Sequence, residues 1–223
     1  MLRAVWIGVL GSTFALAAGG ELEATLARMD RAAITFKDFS ADINRTHHVA
    51  VIDENSGDSG TILMKRPKPH ELLMFVDIKM PDPMQVAYDS HKAEIYYPNS
   101  KTEQVYEVGA YKKQADQLLF LGFGTTSKDL ASGYTVVLGG SDMVSGQKTT
   151  RLDLTPKPNE MHLTKVELWI SDESGIPVQQ KFYFPGGEYN LVTYSNIKLN
   201  PNLPDSALKL KVAPGTKIEH PQK

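Results

Sequence analysis

Short runs of alternating apolar and polar residues constrain the fold of this chain more than any other feature of its sequence. Such runs, among them QVAY, KAEIYY and TEQVYEV, recur between residues 39 and 200. Residues that favour turns separate them at intervals of roughly 8 to 14 residues. Because a strand directs successive side chains to opposite faces, each run predicts a half-buried strand. Intervals this short favour hairpins over crossover helices, so the pattern predicts a mainly β (α+β) chain with an antiparallel meander of about ten or eleven strands.

Two segments depart from this period and predict helices. In the first, which precedes the first strand, apolar residues recur every three or four positions: Leu22, Leu26, Met29, Ala33 and Phe36. The second, residues 110–123, reads AYKKQADQLLFLGF and combines good helix formers with an apolar cluster that includes Leu118, Leu119 and Phe120. Apolar side chains occur on all sides of its last turn. We therefore expect this helix either to be fully buried or to face an apolar partner that is present only part of the time.

The first eighteen residues have the pattern of a secretory signal peptide. Arg3 supplies the positive charge of such a peptide. The apolar run that follows, AVWIGVLGSTFALAA, is short for a membrane span, and Ala17 and Ala18 offer a small-residue cleavage site. We therefore predict cleavage near residue 18 and one domain over residues 19–223, with an uncleaved N-terminal anchor as the alternative. The chain has no cysteine, so disulfides cannot stabilise the exported protein, and a bacterial periplasm is the favoured compartment.

Neither composition nor motifs indicate an enzyme or a nucleic-acid-binding protein. The formal net charge of -2 gives no electrostatic reason to bind nucleic acid. No metalloprotease, P-loop or serine-hydrolase motif occurs, and we predict neither a metal nor a cofactor. His47 and His48 are adjacent, but on a strand they point to opposite faces and cannot bind one metal without a bulge. A hydrolase that uses these histidines with Asp42 stays open as a weakly motivated alternative.

The stretch TILMKRPKPHELLMF, residues 61–75, places an arginine in register with an apolar face. Counting every second residue from 62 to 76, one position past this stretch, places on one face Ile62, Met64, Arg66, His70, Leu72, Met74 and Val76. A charge on the inner face of a sheet is costly unless it is paired, so either this face is no ordinary core or Arg66 has a specific role. Leu73 and Phe75 make the second strand apolar on its other face as well. Either a sheet that lines a lidded cavity or an oligomer interface would explain this.

The order of these features resembles the LolA family, the periplasmic carriers of outer-membrane lipoproteins. The resemblance begins with the secretory signal, the amphipathic helix, the long strand and a strand that ends in LMKRP. It continues with Gly175-Ile176-Pro177, the strand YNLVTYSNIKLN and a closing Pro-Gly-Thr at 214–216. It covers essentially the whole mature chain. His70 departs from the pattern, because the family usually places an aromatic residue there.

The resemblance implies an incompletely closed antiparallel β half-barrel, with an α-helical lid over an apolar cavity that takes acyl chains. The arginine that hydrogen-bonds the lid shut in that family corresponds to Arg66, which we call the lid latch. The cavity walls are expected to comprise Ile62, Met64, Leu72, Met74, Val76, Leu118, Leu119 and Phe120.

The implied function is that of a monomeric periplasmic carrier and chaperone. It would bind the acyl chains of lipoproteins or other lipids and shuttle them toward the outer membrane, between an inner-membrane transporter and an outer-membrane acceptor. A regulatory protein of the same fold that senses lipids or lipoproteins is the alternative.

Overall fold

The computed structural model describes residues 13–68, 71–157 and 163–221. His70 and residues 1–12 of the predicted signal peptide therefore lie outside the described residues. Within them, the helices are α1 (Thr13–Thr35), α2 (Lys112–Leu119) and α3 (Ser127–Gly133). The strands are β1 (Asp38–Val49), β2 (Glu54–Lys68), β3 (Glu71–Met80), β4 (Met84–Tyr88), β5 (Lys92–Tyr97), β6 (Thr102–Glu107), β7 (Tyr134–Val144), β8 (Gln147–Pro156), β9 (Lys165–Ser171), β10 (Pro177–Tyr183), β11 (Tyr189–Leu199) and β12 (Lys217–Glu219).

All these strands form one open sheet, in the order β12-β6-β5-β4-β3-β2-β1-β11-β10-β9-β8-β7. Neighbouring strands are antiparallel except β12, which lies parallel to β6. The prediction of a mainly β, incompletely closed antiparallel sheet with helices is confirmed. The described chain has twelve strands, not ten or eleven. One strand beyond the predicted number is β12, whose three residues are too few to show an alternating pattern.

The alternation on β2 and β3 buries the side chains that the sequence pattern places inside. Ile62 and Met64 on β2, and Leu72, Met74 and Val76 on β3, are each less than a tenth exposed. They belong to one hydrophobic cluster with Phe36, which follows α1, and Phe39, at the start of β1. A second cluster joins β8, β9 and β10 to α1 and α3 through Met29 and Leu130.

The outer face of β3 is covered by the C-terminal segment of the same chain. Leu73 and Phe75 point to this face and are half-buried. A short 3-10 helix, Asp205–Leu208, packs against β2 and β3, and its Leu208 is buried. Lys65 on β2 holds the segment by donating from Nζ to the Leu203 carbonyl at 2.6 Å. The apolar outer face of β3 is thus partly covered within the same chain.

Helix α1 packs on the sheet through the predicted apolar stripe. Met29 is buried among the residues of the second cluster, and Leu22 and Leu26 pack beside it. Helix α1 begins at Thr13, so the predicted cleavage site near residue 18 lies inside this helix. Among the residues that the structure describes, no helix combines the length and the hydropathy needed to cross a membrane.

Candidate functional site

Residues 112–133, from α2 to α3, form a lid segment over the concave face of the sheet. Helix α2 ends at Leu119, earlier than the predicted 123, because Gly122 (φ +84°) and Gly124 (φ +63°) adopt left-handed backbone conformations. Phe120 and Phe123 therefore lie in a loop that enters the core, where both are at most 2% exposed. Helix α2 itself contains no buried residue. The loop is thus more deeply buried than α2, whose Leu118 and Leu119 pack against the core while remaining partly exposed.

Arg66 reaches this loop directly. Its Nη1 donates a hydrogen bond to the Gly124 carbonyl oxygen at 2.8 Å, and its Cζ lies 5.9 Å from the centroid of the Phe36 ring. The approach is close: a Cβ on Gly124 would lie 2.9 Å from Arg66 Nη1 and 2.9 Å from Phe36 Cδ1. Position 124 therefore suits glycine for two reasons, its positive φ and the lack of space. The geometry is that of the predicted contact between Arg66 and the lid.

The charge of Arg66 is only partly compensated by protein groups. Within the described residues it makes no ion pair, and only one of its five N–H donors has a protein acceptor. Burial lowers the pKa of the guanidinium, whereas attraction from Asp129 and Asp116 acts in the opposite direction. The side chain still carries its charge at neutral pH, because arginine ordinarily titrates far above it. A half-buried cation is therefore held mainly by one carbonyl oxygen.

Six of the predicted cavity residues surround a mainly apolar cavity of about 750 Å³ between the sheet and the lid segment, which we call the apolar cavity, although Arg45, His47, Asp58 and Asp82 also line it. Ile62, Met64, Met74 and Val76 line it from the sheet, and Leu118 and Leu119 line it from α2. Its volume is in the range of typical small-molecule sites. The predicted set omitted several further apolar wall residues: Ile43, Ile78, Met84, Leu163, Phe182, Phe184, Val192 and Tyr194. Ile78 could have been found by continuing the alternation of β3, whereas Phe182 and Val192 come from strands distant in sequence.

The remaining predicted residues, Leu72, Phe120 and Arg66, line a second cavity of about 910 Å³. We call it the polar cavity, because Lys68, Lys112, Lys113, Asp116, Gln117, Thr125, Asp129 and Ser132 also line it. The structure therefore divides the predicted cavity set between two spaces, and α2 contributes side chains to both.

A buried glutamine at the apolar cavity provides a second attachment for the lid loop. Gln180 on β10 is 4% exposed and donates from Nε2 to the Leu121 carbonyl oxygen at 2.7 Å. Its Oε1 accepts a hydrogen bond from Tyr194 Oη at 2.5 Å. Burial raises the pKa of the Tyr194 hydroxyl, which stays protonated as this donor role requires. The polar groups of Gln180 are thereby satisfied inside an apolar wall.

Helix α2 is attached to the sheet through Asp116. Its carboxylate accepts hydrogen bonds from Tyr88 Oη and, at 3.3 Å, from Ser90 Oγ, and it forms an ion pair with Lys112. Tyr88 is 2% exposed, and burial together with the Asp116 bond raises the pKa of its hydroxyl. Sequence reasoning missed this contact, because nothing in the pattern of β4 or α2 pairs residues 28 positions apart.

Replacing Tyr88 by phenylalanine is expected to loosen α2 while keeping the buried ring. The loss of one hydrogen bond to a carboxylate, about 1.5 to 3 kcal/mol, corresponds to about 10- to 150-fold faster amide hydrogen exchange over residues 112–119. Tyr183→Phe is the matched control, because Tyr183 Oη donates to Glu167 Oε2 at 3.0 Å, between β10 and β9. Equal exchange of α2 in both variants would contradict the proposed attachment.

The histidines and aspartate of the hydrolase alternative do not form a catalytic arrangement. His47 Nδ1 lies 2.6 Å from Asn190 Oδ1, whereas His48 Nδ1 lies 3.1 Å from Asn55 Oδ1. Asp42 accepts a hydrogen bond from Asn196 Nδ2 at 2.6 Å. Each has its own partner, and no cluster of metal-ligating side chains occurs within the described part of the chain.

Comparisons with known proteins concern the family and the fold of this chain. The family model "Outer membrane lipoprotein carrier protein LolA" matches residues 35–211. No curated protein matches the chain. Among solved structures, an uncharacterized conserved protein from Thermus thermophilus has a TM-score of 0.57 at 12% identity, covering 90% of this chain and 99% of that one. LprF from Mycobacterium bovis has a TM-score of 0.50 at 11% identity, covering 87% and 98%.

A chain of the Pseudomonas aeruginosa MucA/MucB complex has a TM-score of 0.51 at 16% identity. The match covers 86% of this chain and 63% of that one. At such identities the likeness to these three structures concerns the fold alone.

Proposed function

Because this chain belongs to the family of outer membrane lipoprotein carrier proteins named LolA, we propose that it binds acyl chains of lipoproteins in the apolar cavity and carries them through the periplasm toward the outer membrane. Members of this family and fold are binding and carrier proteins, so the prediction that the chain is not an enzyme is confirmed. The observation that carries the proposal is the apolar cavity of about 750 Å³ between the sheet and α2.

The apolar cavity offers what an acyl chain needs in water. Each methylene removed from water contributes about 0.8 kcal/mol, so a chain of about fifteen carbons requires roughly 12 kcal/mol of burial. Met64, Met74 and Met84 in its walls have flexible, polarisable side chains. Such walls can repack around chains of different lengths, as a carrier of several lipoproteins requires.

For the acyl chain to be released, the closed state of the protein must be sufficiently stable when the cavity is empty. We assign this role to Arg66, whose bond to the Gly124 carbonyl draws the lid loop onto β2. Opening breaks that bond, while movement of α2, which has no fully buried residue, exposes its partly buried Leu118 and Leu119 together with the apolar cavity beneath them. The lid equilibrium then depends on the difference between the polar contacts that hold the lid segment, those of Arg66, Gln180 and Asp116, and the burial of cargo.

A wider side chain in the wall of the apolar cavity is expected to exclude lipid. Val192 lies on β11 and is half-buried in the cavity wall. Val192→Trp should lower acyl-chain affinity by about 5- to 150-fold, because adding side-chain volume to an apolar space that is already filled typically costs about 1 to 3 kcal/mol. The measurement is mass spectrometry of lipids extracted from protein purified out of the native periplasm, together with titration of a fluorescent fatty acid. Val137→Trp is the control, since Val137 is half exposed on β7 and lines neither cavity. Equal lipid content in both variants would show that the acyl chain does not bind in the apolar cavity.

The partners that we propose for this carrier are an inner-membrane transporter that loads it and an outer-membrane acceptor that unloads it, with the protein itself a monomer. The second candidate is a regulatory protein that senses lipids or lipoproteins. It is favoured by the likeness in fold to a chain of the MucA/MucB complex, in which the two proteins are bound to each other. A carrier transfers its lipid to acceptor vesicles, whereas a sensor retains it and binds a membrane protein in one lipid state only. Transfer measured with a fluorescent acyl chain separates the two.

A further inference from the structure

The walls of the polar cavity carry an excess of positive charge. Arg66, Lys68, Lys112 and Lys113 line it, against two acidic residues, Asp116 and Asp129. Both acids are already engaged. Asp116 is held by Lys112, Tyr88 and Ser90, and Asp129 accepts hydrogen bonds from the backbone and hydroxyl of Thr126 in the capping box of α3. They attract Arg66 over a distance but make no direct contact with it.

Three cations of this cavity, Arg66, Lys68 and Lys113, are less well engaged than the acids. In the described parts of the chain, Arg66 and the exposed Lys113 form no ion pair, and the exposed Lys68 has only the half-buried Glu71, at 3.4 Å. Apart from the N–H that reaches Gly124, the donors of Arg66 have no acceptor there. A guanidinium with free donors matches the two oxygens of a phosphate or a carboxylate. The cavity is therefore chemically suited to an anion.

The same cavity also has an apolar part, built from Leu72, Phe120, Leu121 and Leu130. All four side chains are buried. A small inorganic anion gains nothing from such walls, whereas an amphiphile with an anionic group contacts both parts. The lining thus favours a lipid over a free ion.

Only one layer of residues separates the polar cavity from the apolar cavity. On β3, the consecutive inward residues Leu72 and Met74 line the polar and the apolar cavity, respectively. At the end of α2, Leu119 lines the apolar cavity and the next residue, Phe120, lines the polar one. One ligand could therefore extend from one cavity to the other if α2 moved.

We propose that the polar cavity binds the phosphate or carboxylate of a lipid whose acyl chain lies in the apolar cavity, so that the protein takes anionic lipids as well as lipoproteins. This inference rests on the proposed acyl-chain binding. The anion engages Arg66 together with Lys113 and Lys68. Because it competes with the Gly124 carbonyl for the same guanidinium, its arrival weakens the contact that holds the lid loop to β2.

The test compares two ligands of equal chain length by isothermal titration calorimetry below their critical micelle concentrations. Lauroyl lysophosphatidylglycerol is expected to bind wild-type protein about tenfold more tightly than monolauroylglycerol, the effect of about one charge-assisted hydrogen bond. Lys68→Gln/Lys113→Gln should reduce this preference at least about threefold and leave monolauroylglycerol binding unchanged. Lys148→Gln/Lys198→Gln is the control, since both lysines are exposed, line neither cavity and change the net charge equally.

Each outcome has a separate meaning. Equal affinity for both lipids in the wild type would overturn the anion site and leave the proposed function standing, whereas no binding of either lipid would overturn the proposed function. If the control variant lost the preference for the anionic lipid to the same extent, the preference would be explained by net charge alone, and the proposed site would be overturned. Inorganic phosphate and glycerol 3-phosphate form a further arm, and binding of either as tightly as the lipid would replace the lipid site by a free-phosphate site.

Discussion

The variant Arg66→Leu is expected to bind acyl chains and to release them about 10- to 150-fold more slowly than the wild type. Arg66 donates to the Gly124 carbonyl at 2.8 Å, and leucine cannot. A hydrogen bond that involves a charged group contributes about 1.5 to 3 kcal/mol, and its loss removes the interaction that favours the closed, empty state. Leucine also adds apolar surface near the cavity, which favours the loaded state. Transfer of a fluorescent acyl chain to acceptor vesicles measures the release, and mass spectrometry measures the lipid that stays bound.

Arg151 supplies a matched control for this substitution. Its Nη2 donates to the Gly139 carbonyl oxygen at 2.8 Å, so Arg151→Leu removes the same type of bond, together with the ion pair to Asp153, from a site that lines neither cavity. This control is expected to lose stability and to release lipid like the wild type. Release by Arg66→Leu at the wild-type rate would show that Arg66 is not the lid latch.

The variant Gly124→Ala is expected to lower the free energy of unfolding by about 2 to 5 kcal/mol. A left-handed backbone costs alanine about 1 to 2 kcal/mol, and an added methyl group without space costs about 1 to 3 kcal/mol more. Here the methyl carbon would approach Arg66 Nη1 and Phe36 Cδ1 to 2.9 Å each. Because Arg66 must move to make room, the variant should also slow lipid release. Urea denaturation gives the first effect and the vesicle assay gives the second.

Gly146 separates the backbone contribution from the contact contribution. It also has a positive φ, +80°, but nothing lies within 4 Å of a Cβ built there. Gly146→Ala should therefore lose only the backbone share, about 1 to 2 kcal/mol, with unchanged release. If the two alanine variants were destabilised equally, the close approach of Gly124 to Arg66 would be energetically unimportant.

The sequence pattern predicted the strands well because alternation is a local property of the pleated backbone. Ile62 and Met64 on β2, and Met74 and Val76 on β3, point inward as the count by twos requires. The pattern failed where local signals were short or ambiguous. β12 has three residues, and the apolar run Leu118 to Phe123 favoured a longer helix than the structure has. The glycines at 122 and 124 end that helix early, and burial of the aromatic side chains then stabilises the loop.

The attachments of the lid segment could not be predicted from periodicity. Tyr88 and Asp116 are 28 positions apart, and Gln180 and Leu121 are 59 apart. Nothing local marks either pair, because each forms only when the sheet has curved and the lid segment lies over it. The contact between Arg66 and the lid was expected only through the family resemblance, which carries such tertiary information implicitly.

By itself, the sequence determined which side chains of each strand face the interior and that one of these positions holds an arginine, because a strand sets side-chain direction residue by residue. Only the tertiary structure decided that this interior contains two cavities, with Arg66, Leu72 and Phe120 around the polar one and Met64, Met74 and Leu119 around the apolar one. The physical reason is that a cavity is the space left between elements distant in sequence. Its extent depends on how α2 and the loop after it pack against the sheet, and no single strand encodes that packing.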